Sequence, residues 1–237
     1  MGKQLRKLTT DKKKVLENVF DEATLRLIFK LTGQGIFEEL QSPIALGKEA
    51  NVFSAITKEG KVAVKVYRVQ NCNFNKMYEY IKSDPRYYDI KKSKRNVIFS
   101  WVQREHRNLN IARKGGVRVP LPITFINNVL VQEFIGDELA APRMTQYMPQ
   151  DIQKFFDEVI RQMKKLYKAG LVHADLSAFN ILVYEDKPYF IDFSQSTPVK
   201  NLEASIFLKR DIKNVCNFFE KYGLEVDRKE ILKIIRE

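Results

Sequence analysis

Leu171-Val172-His173-Ala174-Asp175-Leu176-Ser177-Ala178-Phe179-Asn180-Ile181-Leu182-Val183 is the stretch of this 237-residue chain that decides its fold. Before it, Ile152, Phe155, Phe156, Val159, Ile160, Met163, Leu166 and Tyr167 recur at helical spacing. A long amphipathic helix is predicted over 150–169, ended by Gly170 as its C′ residue. After it come two strand-like runs, near 181–184 and 189–192, with Glu185-Asp186-Lys187-Pro188 between them. Asp175 and Asn180 therefore fall in a loop between a helix and a strand. A carboxylate followed five residues later by a carboxamide can orient a hydroxyl nucleophile and hold a metal ion. Asp192 stands at the exit of the apolar run Tyr189-Phe190-Ile191. That place suits Mg²⁺, a hard cation that prefers oxygen donors and bridges to phosphate.

Upstream the chain changes character. Asp21 reads as an N-cap and Gly33 as a helix stop, with a shorter helix before them over 12–20. From Glu38 the period becomes two, giving strands near 38–46, 51–57 and 61–67. In Val62-Ala63-Val64-Lys65-Val66-Tyr67 the three valines share one face and Lys65 points to the other. A buried ammonium needs an anion; an edge-strand lysine reaching solvent is the alternative. Residues 68–97, with Asn71, Asn73, Asn75, Asp84-Pro85 and a basic cluster, read as a polar, mobile insertion holding a short helix near 74–82. In the helix expected over 98–114, Glu105 shares a face with Trp101, Asn108, Leu109 and Ala112. Its partner is then Lys65, or else Arg104 or Arg107 at the surface. Strands near 122–127 and 129–135 flank an Asn127-Asn128 turn. Gly136 to Pro149 lacks periodicity and reads as a boundary between two lobes. Two helices, near 203–222 and 227–236, end the chain. Strands first and helices later predict an α+β fold.

Hydrophobic residues make up 44% and aromatics 11%, enough for a packed core and too many for wholesale disorder. Two cysteines cannot build a disulfide framework or a thiolate zinc site. No apolar run reaches the length of a membrane span or signal peptide. The 41 basic residues against 29 acidic ones give a net charge of +12, which favours polyanions such as nucleotides or RNA.

A strand lysine, a helix glutamate, Asp-x-x-x-x-Asn and a strand-end Asp, in this order, resemble the protein kinase superfamily. Three departures narrow the resemblance. Leu46-Gly47-Lys48-Glu49-Ala50-Asn51-Val52-Phe53 stands where a glycine-rich loop belongs. His173-Ala174-Asp175 replaces His-Arg-Asp, and Asp192-Phe193-Ser194 replaces Asp-Phe-Gly. The set is similar to the RIO family of atypical serine protein kinases, in its first, archaeal-like minimal form. The leading segment is too short for the winged-helix domain of the second subfamily.

The resemblance implies a bilobal, protein-kinase-like α+β fold. A helical extension (1–36) would precede a lobe built on a twisted antiparallel sheet (37–136, insertion at 68–97) and a reduced, mainly helical lobe (137–237). It implies an ATP-dependent serine/threonine kinase and ATPase that autophosphorylates, with Ser93 and Ser100 as candidates. The implied setting is cytoplasmic, on the maturing small ribosomal subunit with its rRNA and proteins, without membrane or DNA. Lys65 would contact the nucleotide phosphates and pair with Glu105. Gly47, Lys48, Glu49, Ala50, Asn51 and Val52 would cover ATP. Glu133 and Ile135 would offer backbone groups to adenine beside the gatekeeper Gln132. Asp175 would be the catalytic base, and Asn180 and Asp192 would hold Mg²⁺ or, in its place, Mn²⁺. Asp192 would also carry an acyl-phosphate. No Ala-Pro-Glu follows Asp192, which counts against phosphorylation of peptides in trans. The choline- and aminoglycoside-kinase type of small-molecule phosphotransferase shares the His-x-Asp-x-x-x-x-Asn pattern and is the alternative. A non-catalytic module with a kinase fold fits less well, because all four catalytic positions are filled.

Overall fold

The computed structural model describes residues 20–69, 72–87, 90 and 92–237. Of the helix expected over 12–20, only Phe20 lies among them. Helix α1 (Glu22–Gly33) starts where the Asp21 carboxylate accepts from Thr24 N at 2.7 Å, with Glu22 in its first turn and Lys30 in its last. Both charges complement the helix dipole.

Strands β1 (Glu39–Leu46), β2 (Ala50–Thr57), β3 (Gly60–Tyr67), β4 (Pro122–Ile126) and β5 (Val129–Glu133) form one antiparallel sheet in the order β1-β2-β3-β5-β4. Alternation along β3 divides its two faces. Val62, Val64 and Val66 pack with Leu25, Ile28 and Leu31 of α1 in one core. Lys65 and Tyr67 point the other way, onto the helix that carries Glu105.

Within residues 68–97 the helix expected near 74–82 is present and packs one face against the core. Helix α2 (Phe74–Lys82) is capped by Asn73 and buries Met77 and Ile81. They share a core with Val97, Ile98 and Trp101 of α3 (Lys94–Lys114), which begins four residues before the expected start, with the Ser93 hydroxyl accepting from Asn96 N. The polar composition concealed two caps and an i, i+4 apolar pair, and burial of that pair outweighs the surrounding asparagines and lysines.

Past the sheet, Gly136 sits at φ 137°, and a Cβ there would lie 2.2 Å from the Leu139 carbonyl oxygen. Only glycine fits this corner. Helix α4 (Ile152–Lys168) buries Phe155, Phe156, Val159, Ile160, Met163 and Leu166. Phe155 packs tilted and Phe156 edge-on against Phe219 of α5 (Ala204–Glu220), and α6 (Arg228–Arg236) completes the group. Two short ribbons lie beside these helices. Strand β6 (Leu171–Val172) pairs with β9 (Thr197–Pro198), and β7 (Ile181–Tyr184) pairs with β8 (Lys187–Phe190). The first ribbon was not foreseen, since its strands are two residues each. In the second, β8 starts two residues before the expected position. Glu185 and Asp186 alone form the turn, both left-handed at φ 50° and 53°, the backbone that matches strand twist in tight hairpins. Pro188 is tolerated opposite Val183 because the Val183 N–H donates instead to Pro142 O at 2.8 Å. Among the described residues no helix is long and apolar enough to cross a membrane.

Candidate active site

The sheet face that carries Lys65 meets α3 and the loops around β7 and β8. Lys65 Nζ lies 2.8 Å from Glu105 Oε1 and 3.0 Å from Asp192 Oδ1. Burial alone would lower the Lys65 pKa, but Asp192 and Glu105 hold it well above the ordinary lysine value. Burial raises the pKa of Glu105 against the pull of Lys65. Of the two openings left at sequence level, the buried pairing of Glu105 with Lys65 is the one formed. Tyr67 adds its hydroxyl, donating to Glu105 Oε2 at 2.5 Å. Tyr67 was missed as a site residue, although it shares the Lys65 face two positions on.

Asp192 does not end a strand; it follows β8 by two residues, at φ 63°. Its side chain keeps 39% of its surface exposed. Its position raises the pKa through lost hydration, yet Lys65 and the Ser194 hydroxyl, 2.6 Å from Oδ1, bring it down to about 2. Serine in place of the usual glycine thus supplies a donor to this carboxylate.

Asn180 is brought beside Asp192 by the second ribbon: Ile181 pairs with Phe190, and Ile191 N donates to Asn180 O at 3.0 Å. Asn180 Nδ2 donates to the Asp175 carbonyl at 2.8 Å and to Asp175 Oδ2 at 3.4 Å. With the nitrogen so committed, Oδ1 is the Asn180 atom that suits a cation. Burial and the Asp192 charge raise the Asp175 pKa, opposed by Lys76, Arg210 and Asn180.

The backbone around Asp175 is held from α5. Asp211, 1% exposed, accepts from Ala174 N at 2.8 Å and Leu176 N at 3.0 Å, while Arg210 donates to the Ala174 carbonyl. Ala174 is left-handed at φ 64°, a conformation that a non-glycine residue keeps only where its surroundings enforce it. Both α5 residues were missed. The signal was present: Asp211 lies in the apolar stripe of Leu208, Ile212 and Val215, the same anomaly that singled out Glu105. His173 is a structural residue, as expected. Nε2 donates to Ile191 O at 3.0 Å, and burial lowers its pKa to about 4, so the ring is neutral at pH 7.

The turn from Gly47 to Asn51 brings Glu49 within reach of the charges of Asp192, Lys65 and Asp175. Gly47 N donates to Ala50 O, and a Cβ on Gly47 would lie 2.7 Å from that oxygen. Val52 pairs directly with Lys65. Burial and the charges of Asp192 and Asp175 raise the Glu49 pKa, while Lys76 and Lys65 lower it. Lys48 is exposed, whereas Asn51 is buried and accepts from Arg68 at 3.0 Å. At the edge of the sheet the Glu133 carboxylate is occupied by Leu121 N at 2.9 Å, and its own N–H by Leu121 O. The Ile135 carbonyl accepts from Ala141 N. Gln132 is buried, and its Oε1 has no partner among the described residues. A hollow of about 860 Å³ lies elsewhere, between α4 and the β7–β8 turn. Its lining mixes Arg118, Lys154 and Arg161 with Asp151, Asp157 and Glu158, so no single charge selects a ligand.

Residues 51–231 match the model of the RIO domain. The chain is 42% identical over 226 residues to the RIO-type serine/threonine-protein kinase Rio1 of Methanocaldococcus jannaschii, covering 94% of this chain and 77% of that protein. It is 38% identical over 235 residues to the RIO-type serine/threonine-protein kinase Rio1 of Haloferax volcanii, covering 98% and 81%. The Rio2 kinase of Chaetomium thermophilum, solved as an ADP/Mg²⁺-phosphoaspartate complex, superposes with a TM-score of 0.69 at 21% identity, over 89% of this chain and 65% of that one. At that identity the likeness concerns the fold, which is α+β, bilobal and kinase-like. From the domain match and the archaeal relatives together, the chain belongs to the RIO domain family.

Proposed function

We propose that the chain is a Mg²⁺-dependent, ATP-using serine/threonine kinase and ATPase of RIO type, with Lys65, Glu105, Asp175, Asn180 and Asp192 as its working residues. The observation that carries this reading is the continuous bonded series Glu105–Lys65–Asp192, with Asn180 and Asp175 joined to it through the β7–β8 ribbon. Asn180 and Asp192 offer hard oxygen donors that fit Mg²⁺, which takes one or two protein ligands and completes its shell with water and phosphate. When bound it would supply positive charge to the phosphates as negative charge develops there. Lys65 is held charged to meet the nucleotide phosphates, and the Gly47–Val52 turn covers them. The Ile135 N–H is the hinge donor toward adenine. Asp192, ionised and beside the phosphates, is the acceptor of the phosphoryl group; the Rio2 complex with phosphoaspartate is the precedent for this chemistry. Asp175 takes the proton from the water or hydroxyl that follows.

Phosphate release from ATP by the purified chain should require Mg²⁺ and stop in EDTA. It should proceed without an added acceptor and be unchanged by choline or an aminoglycoside. Turnover that starts only when one of these is added would select the small-molecule phosphotransferase reading instead.

We assign the small ribosomal subunit precursor as the partner, through its rRNA phosphates. Lys92, Lys94, Arg95, Arg107, Arg113 and Lys114 are exposed on and before α3. Lys91 of the same cluster lies outside the described residues. Arg104, from the same helix, is buried against Asp84 and adds nothing to this surface, and Arg118 pairs with Glu158. Lys94 and Arg95 occupy the first turn of α3, which has no acidic residue. Basic charge there opposes the helix dipole, so helix stability does not account for it and a polyanion does. Binding to RNA should weaken steeply with salt. Replacing Lys92, Lys94 and Arg95 with Ser should flatten the log–log salt slope by up to about 3 and leave ATP turnover intact. An unchanged slope would remove this surface from the interface.

A further inference from the structure

Between the strand that carries Lys65 and the helix that carries Glu105, the chain buries a carboxylate that plays no part in the site described above. Asp84 is 0% exposed. Its Oδ1 accepts from Arg86 N at 3.1 Å and Nε at 2.8 Å, and its Oδ2 from Arg86 Nη2 at 2.5 Å. Arg104, equally buried, places Nε 3.2 Å from Oδ2. Arg86 has a second role, because its Nη2 also donates to Asn108 Oδ1 at 3.0 Å. On its other side, Asn108 Nδ2 donates to the carbonyls of Phe193 at 3.0 Å and Ser196 at 2.8 Å. Arg104 Nη2 reaches the Gln195 carbonyl at 3.5 Å. Three carbonyls that follow Asp192 are therefore held by two α3 side chains, and both of these are gripped by residues 84–86.

The chemistry gives this arrangement a direction. A carboxamide has a donor end and an acceptor end of nearly the same shape. Arginine can only donate, so Arg86 fixes the Asn108 oxygen on its own side and turns both N–H groups toward the Asp192 segment. Without Arg86 the buried Asn108 oxygen loses its charge-assisted donor, and only the two carbonyls still hold the amide in place. Asp192 itself is left-handed at φ 63°, a state that needs outside support in a non-glycine residue.

We propose that Asp84 and Arg86 are positioning residues for Asp192, acting through Asn108 and Arg104. Residues 84–86 thereby set the geometry of the carboxylate that faces the metal and the phosphate. The functional half of this inference rests on the role given to Asp192 above; the structural half does not.

Arg86→Ala in the full chain is the test. The Mg²⁺ concentration for half-maximal turnover should rise roughly tenfold or more, the loss expected when a charge-assisted hydrogen bond goes. Nucleotide affinity measured in EDTA should stay within about twofold, because Lys65 and the hinge are untouched. Amide hydrogen exchange over residues 192–197 should quicken. Asn108→Asp keeps an acceptor for Arg86 and removes both donors, so it should give the same shift and serves if Arg86→Ala does not fold. The combined effect of Arg86→Ala and Asn108→Ala should fall clearly short of the sum of the two single effects. Unchanged exchange over 192–197, or additive losses in the double variant, would overturn the coupling. If exchange quickens while even the unsubstituted chain lacks Mg²⁺-dependent turnover, the coupling stands and the role given to Asp192 is what fails.

Discussion

Asp175→Ala is expected to lower ATP turnover by ~10²–10⁴-fold, the range for loss of a general base, with ATP affinity close to that of the unsubstituted chain. The structure makes this substitution unusually selective. The Asp175 carboxylate bonds only Asn180 Nδ2 among the described residues, at 3.4 Å. The stronger tie to Asn180, at 2.8 Å, runs from the Asp175 main-chain carbonyl and survives in alanine. The loop itself is clamped through the Ala174 and Leu176 amides by Asp211, so its path does not depend on the side chain removed. What remains is a site able to bind but short of a base whose pKa burial and the Asp192 charge have raised. Binding of a fluorescent nucleotide and single-turnover kinetics on the same preparation check both halves. Normal turnover in Asp175→Ala would remove Asp175 from catalysis.

Lys65→Ala is a less clean instrument. It leaves Glu105, 1% exposed, without its cation, and breaking a buried pair from one side costs about 3–5 kcal/mol. A loss of activity there would mix catalysis with stability.

Much of this site was legible from sequence because its residues contradict their surroundings. Lys65 interrupts an apolar strand and Glu105 an apolar helical stripe, and each anomaly demands the other. Asp175 and Asn180 were placed by a helix with strong periodicity on one side and a strand on the other. The resemblance to the RIO family supplied their roles. The parts that escaped depend on contacts distant in the chain. Asp211 acts on main-chain amides more than thirty positions away, and nothing local announces which amides those are. Arg86 lies in a polar stretch with no local pattern to single it out, and only its approach to Asn108 gives it a purpose. The β6–β9 ribbon has too few residues to generate a period. Asp192 was placed at a strand end because Pro188 read as part of a turn. The structure instead completes the turn with Glu185 and Asp186, and the aspartate falls two residues beyond the strand.

Asp192→Asn should abolish any covalent phosphate on the chain. Lys65 and Ser194 both grip Oδ1, which leaves Oδ2 as the attacking atom. Its pKa of about 2 keeps it ionised at neutral pH, as a nucleophile must be. In the proposed step a bond from Oδ2 to the γ-phosphorus would form as the bond to the β–γ bridging oxygen breaks, and ADP would leave with that electron pair. Water, deprotonated by Asp175, would then cleave the acyl-phosphate and regenerate the carboxylate. Asparagine has no anionic oxygen and cannot begin this sequence. It also weakens the cation site, so nucleotide and Mg²⁺ occupancy should be measured on the same variant.

The central claim, that Asp192 receives the phosphoryl group, is tested most directly by acid quench of the unsubstituted chain turning over γ-labelled ATP. Label should remain on the denatured protein, be released by hydroxylamine, and be absent from Asp192→Asn. Label found only on serine and resistant to hydroxylamine would contradict it.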